Sequence, residues 1–437
     1  MTNKEQRGQF FTTSQMVQTV MLDLLEPKRG TVLEPSAGAG HLVKALEECS
    51  SEFQIDAVEL DESIQSVCST PIVNEDFFVF ADQAKKKYDH IFGNPPYVSW
   101  KNMEDSSKAS TSDVKKRYSD KSNLYHLFID RSIDLLAEDG QMVLIVPKEW
   151  LYTSSAAPLR NKILDEGRIT HIVDCGEEKL FSDADVPALL IFRFLKTSKT
   201  TKDDSKVQFA ENLKAAHQGT WDTRVLVNKN SRWLLLHEEL ANKVSSWGVL
   251  GDVVSVKVGI VSGLDKVFRV ENPEDFEPST VRKYITTKGI EHFIDVNHFD
   301  QWDMIPPRTA AYLLSHKPAL IGRRISPFHE NNWWKYGAIR NKSAMDSTSQ
   351  RIYAFCKTRS VTPFFKMDED NYYGGGLLGI FAKNENVDMD KTLEILNSKD
   401  FREVMEAMFL ATGNKVSLQP ATLEDAPFPI AYSGKVC

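Results

Sequence analysis

The sequence predicts an α/β fold built on a largely parallel sheet, followed by a second domain of mixed α+β structure. Short apolar runs alternate with helical patterns through the first half, which is typical of parallel α/β sheets. A glycine-rich turn at 34–40 joins a predicted strand to a predicted helix. After about residue 241 the pattern changes to strand-like stretches with glycine turns. We therefore predict two domains, 1–245 and 246–437.

The elements of the first domain follow in chain order. Residues 14–25 carry one apolar stripe at helical spacing, and Ser14 suits the N-cap. The strand at 88–93 must end before Pro95, since proline cannot continue a sheet ladder. Predicted strands lie at 31–33, 55–60, 88–93, 141–146, 169–174 and 188–195, and predicted helices at 14–25, 41–48 and 123–137. In the second domain, strands are predicted within 253–270 and at 377–381, and a helical stretch at 391–410.

Composition sets the broad class of protein. The 437 residues suit two domains, and 41% hydrophobic with 26% charged residues is ordinary for a soluble protein. No apolar run approaches the ~20 residues that span a membrane, and the N-terminus lacks the apolar core of a secretory signal. The five cysteines are scattered without the spacing of a disulfide framework or a zinc site. We expect a cytoplasmic, monomeric protein that has no membrane contact and binds no metal.

The net charge of −8 conceals a basic segment. Between Tyr312 and Lys366 there are ten basic residues and two acids, so this segment carries +8 and the remainder −16. A local basic field attracts phosphate whatever the whole-chain charge is. The alternative is chance clustering on a solvated surface, and charge alone does not decide between the two.

The segment 34–40, together with Glu59, Asp76 and Phe77 further along the chain, suggests a nucleoside cofactor. The two glycines of Glu34-Pro-Ser-Ala-Gly-Ala-Gly40 allow a tight turn and close approach to a ligand. Glu34 would repel a pyrophosphate but suits a cofactor with sulfonium and ammonium groups. Glu59 ends the second strand and can bind ribose hydroxyls, while Asp76 and Phe77 can meet an adenine ring. The alternatives are an ordinary turn, a helix-capping carboxylate and aromatic core anchors.

The motif Asn94-Pro-Pro-Tyr97 is the sharpest signal in the sequence. It follows the strand 88–93 at its carboxyl end, where open α/β sheets place their chemistry. An adenine amino nitrogen is a poor nucleophile because its lone pair is delocalised into the ring. The Asn94 side-chain oxygen and the Pro95 carbonyl can accept its hydrogens and stabilise the developing positive charge. Tyr97 offers a face to the target base; the alternative is a proline-rich turn.

The order of these motifs resembles one known family. With Gln9-Phe-Phe-Thr-Thr13 first and Phe181 last, the sequence is similar to the gamma class of DNA adenine-N6 methyltransferases, the TaqI-like group. The similarity is dense to about residue 195 and loose after 245. It implies a Rossmann-like domain dependent on S-adenosylmethionine (SAM) over 1–245, and a target-recognition domain over 246–437 that binds DNA.

The resemblance also implies roles for single residues. It implies catalysis by Asn94, Pro95 and Tyr97, with Phe181 as a second aromatic against a flipped base; a core phenylalanine is the competing interpretation. Together with the motifs, it predicts a SAM site formed by Thr12, Glu34, Pro35, Ser36, Ala37, Gly38, Gly40, Glu59, Asp76, Phe77 and Pro96. The implied partners are double-stranded DNA and, if the enzyme is the modification arm of a restriction-modification system, a cognate restriction endonuclease; the alternative is a stand-alone methylase.

Basic residues outside these motifs are the candidate DNA contacts. They are Lys115, Lys116, Arg117, Arg323, Arg324, Arg340, Lys357 and Arg359. A plain solvated loop is an equal alternative for 115–117. Trp333-Trp334 can stack or wedge, but buried core is favoured.

Two other functions stay open. A related SAM enzyme can act on protein glutamine or RNA, and a DNA-binding specificity protein can keep a degenerate methylase fold. The long basic C-terminal domain favours DNA over the first, and the intact motif set favours an enzyme over the second.

Overall fold

A computed structural model describes most of the chain, and the chain divides into two compact units. The units are Met1–Ser245 with Ala407–Gly413, and Ser246–Glu406 with Asn414–Cys437. The described residues are 11–103, 105–176, 180, 188–198, 205–323, 331–337, 339, 341–346, 350–358, 364–367, 372–408, 411–412 and 415–430. None of the helices formed by these residues combines the length and the apolar composition of a membrane span.

The first unit is built on a ten-stranded sheet. Its strands are β1 (Gly30–Glu34), β2 (Phe53–Glu59), β3 (Ile72–Asn74), β4 (Tyr88–Gly93), β5 (Leu136–Pro147), β6 (Gly167–Asp174), β7 (Leu189–Lys196), β8 (Lys206–Ala210), β9 (Asp222–Lys229) and β10 (Arg232–Leu236). They are ordered β10-β9-β8-β6-β7-β5-β4-β1-β2-β3. Strands β3, β2, β1, β4 and β5 are parallel to their neighbours in that run, while β7 is antiparallel to both β5 and β6. Strand β9 is likewise antiparallel to both β8 and β10, so this is a Rossmann-like sheet with two reversed strands.

The first unit also contains helices, most of which connect strands of this sheet. They are α1 (Gln15–Asp23), α2 (His41–Cys49), α3 (Phe77–Gln83), α4 (Asp105–Ser110), α5 (Ser112–Lys115), α6 (Leu124–Leu135), α7 (Ala157–Glu166), α8 (Leu213–His217) and α9 (Glu238–Ser246). Successive strand residues enter different apolar clusters: Leu33 and Ile91 belong to one, Val32 and Phe92 to the other. This alternation follows from the two-residue period of a strand buried on both faces.

The predicted strands and helices of the first unit are confirmed, with shifts at their ends. The predicted helix 123–137 ends at Leu135, and β5 begins at once at Leu136 rather than at residue 141. The Asn123 side chain accepts from the backbone of α6, so this helix begins with a capped first turn. The sequence analysis missed β3 and the strands β8–β10, and β8–β10 extend the sheet beyond β6. It also missed the helices α3, α4, α5, α7, α8 and α9.

The second unit contains several small sheets and short helices. Its elements are β11 (Gly248–Val249), β12 (Val254–Val258), α10 (Asp265–Phe268), β13 (Arg269–Val270), β14 (Val281–Thr286), β15 (Gly289–Ile294), α11 (Pro307–Ser315), α12 (Lys317–Ile321), α13 (Lys342–Met345), β16 (Arg351–Phe355), β17 (Lys357–Thr358), β18 (Phe364–Phe365), β19 (Tyr372–Tyr373), β20 (Leu377–Ala382), α14 (Met389–Leu396), α15 (Lys399–Ala407), β22 (Lys415–Ser417), α16 (Pro420–Glu424) and β23 (Pro427–Phe428); β21 (Ala411–Thr412) is grouped with the first unit. The predicted helical stretch 391–410 is thus two helices, α14 and α15, separated by Asn397 and Ser398.

Two four-stranded sheets carry the core of the second unit. One has the order β12-β20-β16-β18 and the other β13-β15-β14-β19. Trp333 and Trp334 are each 3% exposed within the apolar cluster between these elements. The favoured interpretation of this pair as buried core is confirmed.

Candidate active site

The glycine-rich turn after β1 is held tightly at the carboxyl edge of the sheet. Gly38 and Gly40 have φ of +55° and +80°, a region that glycine enters without strain. A Cβ on Gly40 would lie 2.6 Å from the Sγ of Cys68. The backbone N–H of Ala37 donates to the Val58 carbonyl at 2.8 Å, which fixes the turn against β2. Gly40 is also the N-cap of α2, so the turn leads directly into that helix.

Glu34 places a buried carboxyl group beneath this turn. It is 1% exposed, and its Oε1 accepts from the Ser36 N–H at 3.1 Å. Its Oε2 is buried and has no hydrogen-bond partner among the described residues. Burial raises the pKa of Glu34 to about 8, with a smaller contribution from nearby Glu59. A positively charged ligand group at this edge would complete the environment of the carboxylate, so the residues present fit a cationic cofactor.

The side chain of Glu59 is fixed by the backbone around it. At the end of β2, its Oε2 accepts from the Gly38 N–H at 2.7 Å and its Oε1 from the Asp61 N–H at 3.0 Å. This carboxylate therefore braces the glycine turn. Each oxygen retains a second lone pair, so the predicted binding of ribose hydroxyls stays a prediction that the geometry permits.

Asp76 and Phe77 each have a structural role, whereas their predicted contacts with a cofactor stay predictions. Asp76 caps α3 by accepting from the Phe78 N–H at 2.8 Å, and its other oxygen accepts from the Ser110 hydroxyl at 2.9 Å. Phe77 is 3% exposed and stacks on Phe128 with ring centroids 4.7 Å apart. One face of Phe77 is therefore occupied by core, and its contact with a cofactor ring stays a prediction.

Asn94 is the point at which several predicted residues meet. Its Nδ2 donates to the Thr12 hydroxyl at 3.1 Å, and its backbone carbonyl accepts from the Ser36 hydroxyl at 3.1 Å. The Tyr97 hydroxyl lies 2.5 Å from the Asn94 Oδ1. The structure thus joins the N-terminal motif, the glycine-rich turn and the Asn-Pro-Pro-Tyr motif at one edge of the sheet.

Tyr97 has a second role that the sequence analysis missed. Its hydroxyl also lies 2.9 Å from the Ile145 carbonyl on β5, and its ring meets Tyr125 edge-on with centroids 6.0 Å apart. Burial raises the pKa of Tyr97, so the phenol stays protonated and can donate. The hydroxyl therefore anchors Tyr97 to β5 and to Asn94. No sequence signal points to Ile145, because a backbone carbonyl leaves no trace in residue type.

The remaining members of the predicted SAM site lie in the same two turns. Pro35 and Pro95 are buried, while Ser36, Ala37 and Pro96 are half-buried. Phe181 lies outside the described residues, as do Arg324, Arg340 and Arg359.

The basic residues of the predicted cluster 115–117 each form an ion pair, and their contact with DNA stays a prediction. The Lys115 Nζ lies 2.9 Å from the Asp120 Oδ1 and 4.4 Å from the centroid of the Trp100 ring. Arg117 forms an ion pair with Asp130, which is 1% exposed. The side chain of Lys116 is 75% exposed and pairs with Asp113 at 2.7 Å. Each basic group thus has a carboxylate partner, but only Lys115 is largely shielded, since the side chain of Arg117 is 49% exposed and that of Lys116 is 75% exposed.

The prediction that Arg323 contacts DNA is wrong in this structure. Arg323 is 7% exposed, and its guanidinium donates to the carbonyls of Ser262, Leu320, Trp333 and Lys335 at 2.6 to 2.8 Å. Burial lowers its pKa to about 10, so it stays charged at neutral pH. The Arg323 guanidinium holds separate chain segments together, because its five N–H donors have a fixed geometry and can bind several carbonyls at once.

Other charges of the basic segment are also used within the fold. Arg351 is 3% exposed, and Lys366 pairs with Asp390. Lys357, by contrast, is exposed on β17, where its backbone pairs with Ser417. The +8 charge of the segment therefore overstates what it presents to a polyanion.

Comparisons with known proteins indicate that the chain is related to DNA methyltransferases. Residues 41–181 match the family described as Eco57I restriction-modification methylase. The Type II methyltransferase M.HindII of Haemophilus influenzae is 24% identical over 468 residues, covering 96% of this chain and 89% of that protein. The chain is homologous to Type II methyltransferases. The Type II methyltransferase M.TthHB8I of Thermus thermophilus is 32% identical over 193 residues, which cover 41% of this chain and 43% of that protein.

A solved structure supports the fold across both units. The Type IIL restriction-modification enzyme MmeI, solved in complex with DNA, aligns with a TM-score of 0.55 and 11% identity, covering 93% of this chain and 63% of that one. The Rossmann-like fold with an additional domain is confirmed, and the methylase homology makes SAM the cofactor of this fold. The buried carboxyl of Glu34 and the glycine cradle fit that cofactor.

Proposed function

We propose that the protein transfers a methyl group from SAM to N6 of adenine in double-stranded DNA. The observation that carries the proposal is the position of Asn94. This residue follows β4 at the carboxyl edge of the sheet and is hydrogen-bonded through its carbonyl to Ser36 of the glycine-rich turn. A cofactor on that turn and a substrate on Asn94 would therefore be neighbours. The homology to Type II methyltransferases supports DNA as substrate, and the gamma-class resemblance supports adenine N6.

Carboxylates and backbone groups of the first unit would hold the cofactor. Glu34 offers its unpartnered oxygen to a cationic group, and Glu59 offers lone pairs to ribose hydroxyls. Asp76 lies at the next strand end, beyond β3, where it can meet an adenine amino group. Bound SAM supplies an electrophilic methyl group on its sulfonium centre.

The chain's own contribution to transfer is a pair of acceptors. The Asn94 Oδ1 and the Pro95 carbonyl accept the two hydrogens of the target amino group and draw its nitrogen toward tetrahedral geometry. They also stabilise the positive charge that develops on that nitrogen. The prolines keep both acceptors in place, so little reorganisation is needed. No separate general base is required, because the alkylated nitrogen is acidic and releases its proton to water.

The target adenine must leave the duplex, because its amino group is paired and stacked there. We assign one face of the flipped base to Tyr97 and the other to Phe181, following the gamma-class resemblance. The second unit would bind the duplex and read its sequence. A restriction endonuclease of matching specificity is the proposed cellular partner, because the family that matches residues 41–181 is described as a restriction-modification methylase.

Transfer of tritium from labelled SAM to duplex DNA, RNA and protein tests this function. We expect label in DNA only, and N6-methyladenine after digestion to nucleosides. Asn94→Ala is the inactive variant that tests the catalytic role of this residue. It should keep SAM affinity and lose about 100-fold or more in turnover, by analogy with the removal of one oxyanion-hole donor. Label in RNA or protein, or on cytosine, would refute the proposed substrate.

A further inference from the structure

Thr12 lies just before α1, and its side chain is directed at the candidate catalytic amide. The residue is 4% exposed, and its hydroxyl accepts from the Asn94 Nδ2 at 3.1 Å. Its carbonyl accepts from the Gln18 side chain at 2.8 Å, so α1 holds the Thr12 backbone in place. The predicted role of Thr12 was cofactor binding alone, and no sequence signal connected it with Asn94, 82 residues away.

This contact controls the orientation of the Asn94 amide. The terminal torsion of asparagine has broad, roughly two-fold preferences, so an unsupported amide can present either its oxygen or its nitrogen. Thr12 contacts the nitrogen and the Tyr97 hydroxyl contacts the oxygen. Donation from Nδ2 also moves electron density toward Oδ1 through the conjugated amide, which makes that oxygen a better acceptor.

The same segment lies against the glycine-rich turn. A Cβ on Gly38 would lie 2.7 Å from the Cε1 of Phe11, the residue before Thr12. A hydroxyl that accepts one hydrogen bond still has its own proton to donate. Thr12 can therefore hold Asn94 and also face a cofactor group, and its two roles can be separated by experiment.

We propose that Thr12 is a positioning residue for methyl transfer, which accepts from the Asn94 Nδ2 and so presents the Asn94 Oδ1 to the target amino group. The inference rests on the proposed function and deepens it. It predicts that loss of the threonine hydroxyl lowers the rate of transfer in the ternary complex while SAM binds nearly as before.

Thr12→Val tests this, because it keeps the shape of the side chain and removes the acceptor. With saturating SAM and DNA, we expect a single-turnover rate about tenfold lower, the effect of about one neutral hydrogen bond. The SAM dissociation constant, measured by calorimetry, should change by about twofold or less. Thr12→Ser should restore the rate to within about threefold. Thr13→Val, at the exposed neighbouring position, is the matched control and should leave both quantities unchanged.

A double-mutant cycle separates positioning from general structural damage. In an Asn94→Ala background, Thr12→Val should have no further effect on the rate, whereas an additive loss would contradict the proposal. If Thr12→Val turns over normally at saturating SAM but binds SAM more weakly, Thr12 contacts only the cofactor, and the positioning role is also refuted. If Thr12→Val does not fold, Thr12→Ala carries the same expectation. Native protein that methylates no duplex DNA would refute the proposed function itself, whereas active native protein with an unaffected Thr12→Val refutes only this inference.

Discussion

Replacing Arg323 by methionine distinguishes a structural arginine from a DNA contact. The substitution keeps the length of the side chain but leaves four carbonyls of the second unit without their charged donor. Buried groups that lose a partner cost about 1–3 kcal/mol each, but such losses are not additive, and we expect a total of about 4 kcal/mol. For a unit of this size, the melting temperature should fall by roughly 8–16 °C. Calorimetric unfolding, in which the second unit is followed as its own transition, measures this shift.

Lys357→Met is the matched control for Arg323→Met. Lys357 is exposed, so its loss should change stability by about 0.5 kcal/mol or less. If Lys357 contacts a phosphate, the slope of log affinity for DNA against log salt should fall by about 0.9. Arg323 is a DNA contact and not a structural residue if Arg323→Met keeps the native melting temperature and instead lowers this salt slope.

The contacts of Glu59, Tyr97 and Glu34 in the candidate site each predict the effect of a substitution. Glu59→Ala should weaken SAM binding by about 1.5–3 kcal/mol and loosen the glycine-rich turn; unchanged affinity in calorimetry would exclude a ribose contact. Tyr97→Phe should keep the stacking face but lower turnover about tenfold or more, because the hydroxyl that anchors Asn94 and Ile145 is lost; a native rate would show that this anchor is dispensable. The pKa of Glu34 in the folded protein is about 8, which is above the ordinary value for a glutamate. The protonated Glu34 side chain therefore contributes fully to the stability of the fold below about pH 4.5, and this contribution is lost as the pH rises through 8. Urea unfolding of cofactor-free protein between pH 5 and 8 should show this decline, and Glu34→Gln should abolish it; parallel curves for the two proteins would contradict the assignment.

Sequence reasoning succeeded where the signal was local. The turn at 34–40 and the motif at 94–97 each combine a strand end with glycines or prolines, and both lie where the predicted sheet places them. The contacts that orient the site were not predictable in this way. The Ile145 carbonyl meets Tyr97 only because β5 lies beside β4, and strand order is a property of the whole sheet.

Charge counting failed for a related physical reason. Arg323 was counted as a surface charge because its neighbours in sequence are basic, but its carbonyl partners come from Ser262 and from the chain around 333–335. Arg117 was likewise counted with Lys115 and Lys116, although its partner is a buried aspartate on α6. A count of residue types cannot show that a basic side chain already has a partner within the fold.

The alternation of β4 side chains between the two apolar clusters has a consequence for insertions and deletions. Ile91 and Phe92 enter opposite clusters, and Asn94 follows two residues later. Removing one residue from β4 would send each upstream side chain to the wrong face, because the strand period is two. Removing two would restore the faces but shorten the strand by roughly 6.6 Å. Asn94 would then be drawn away from Thr12 and Ser36, so the length of this strand, in whole residues, sets the position of the chemistry.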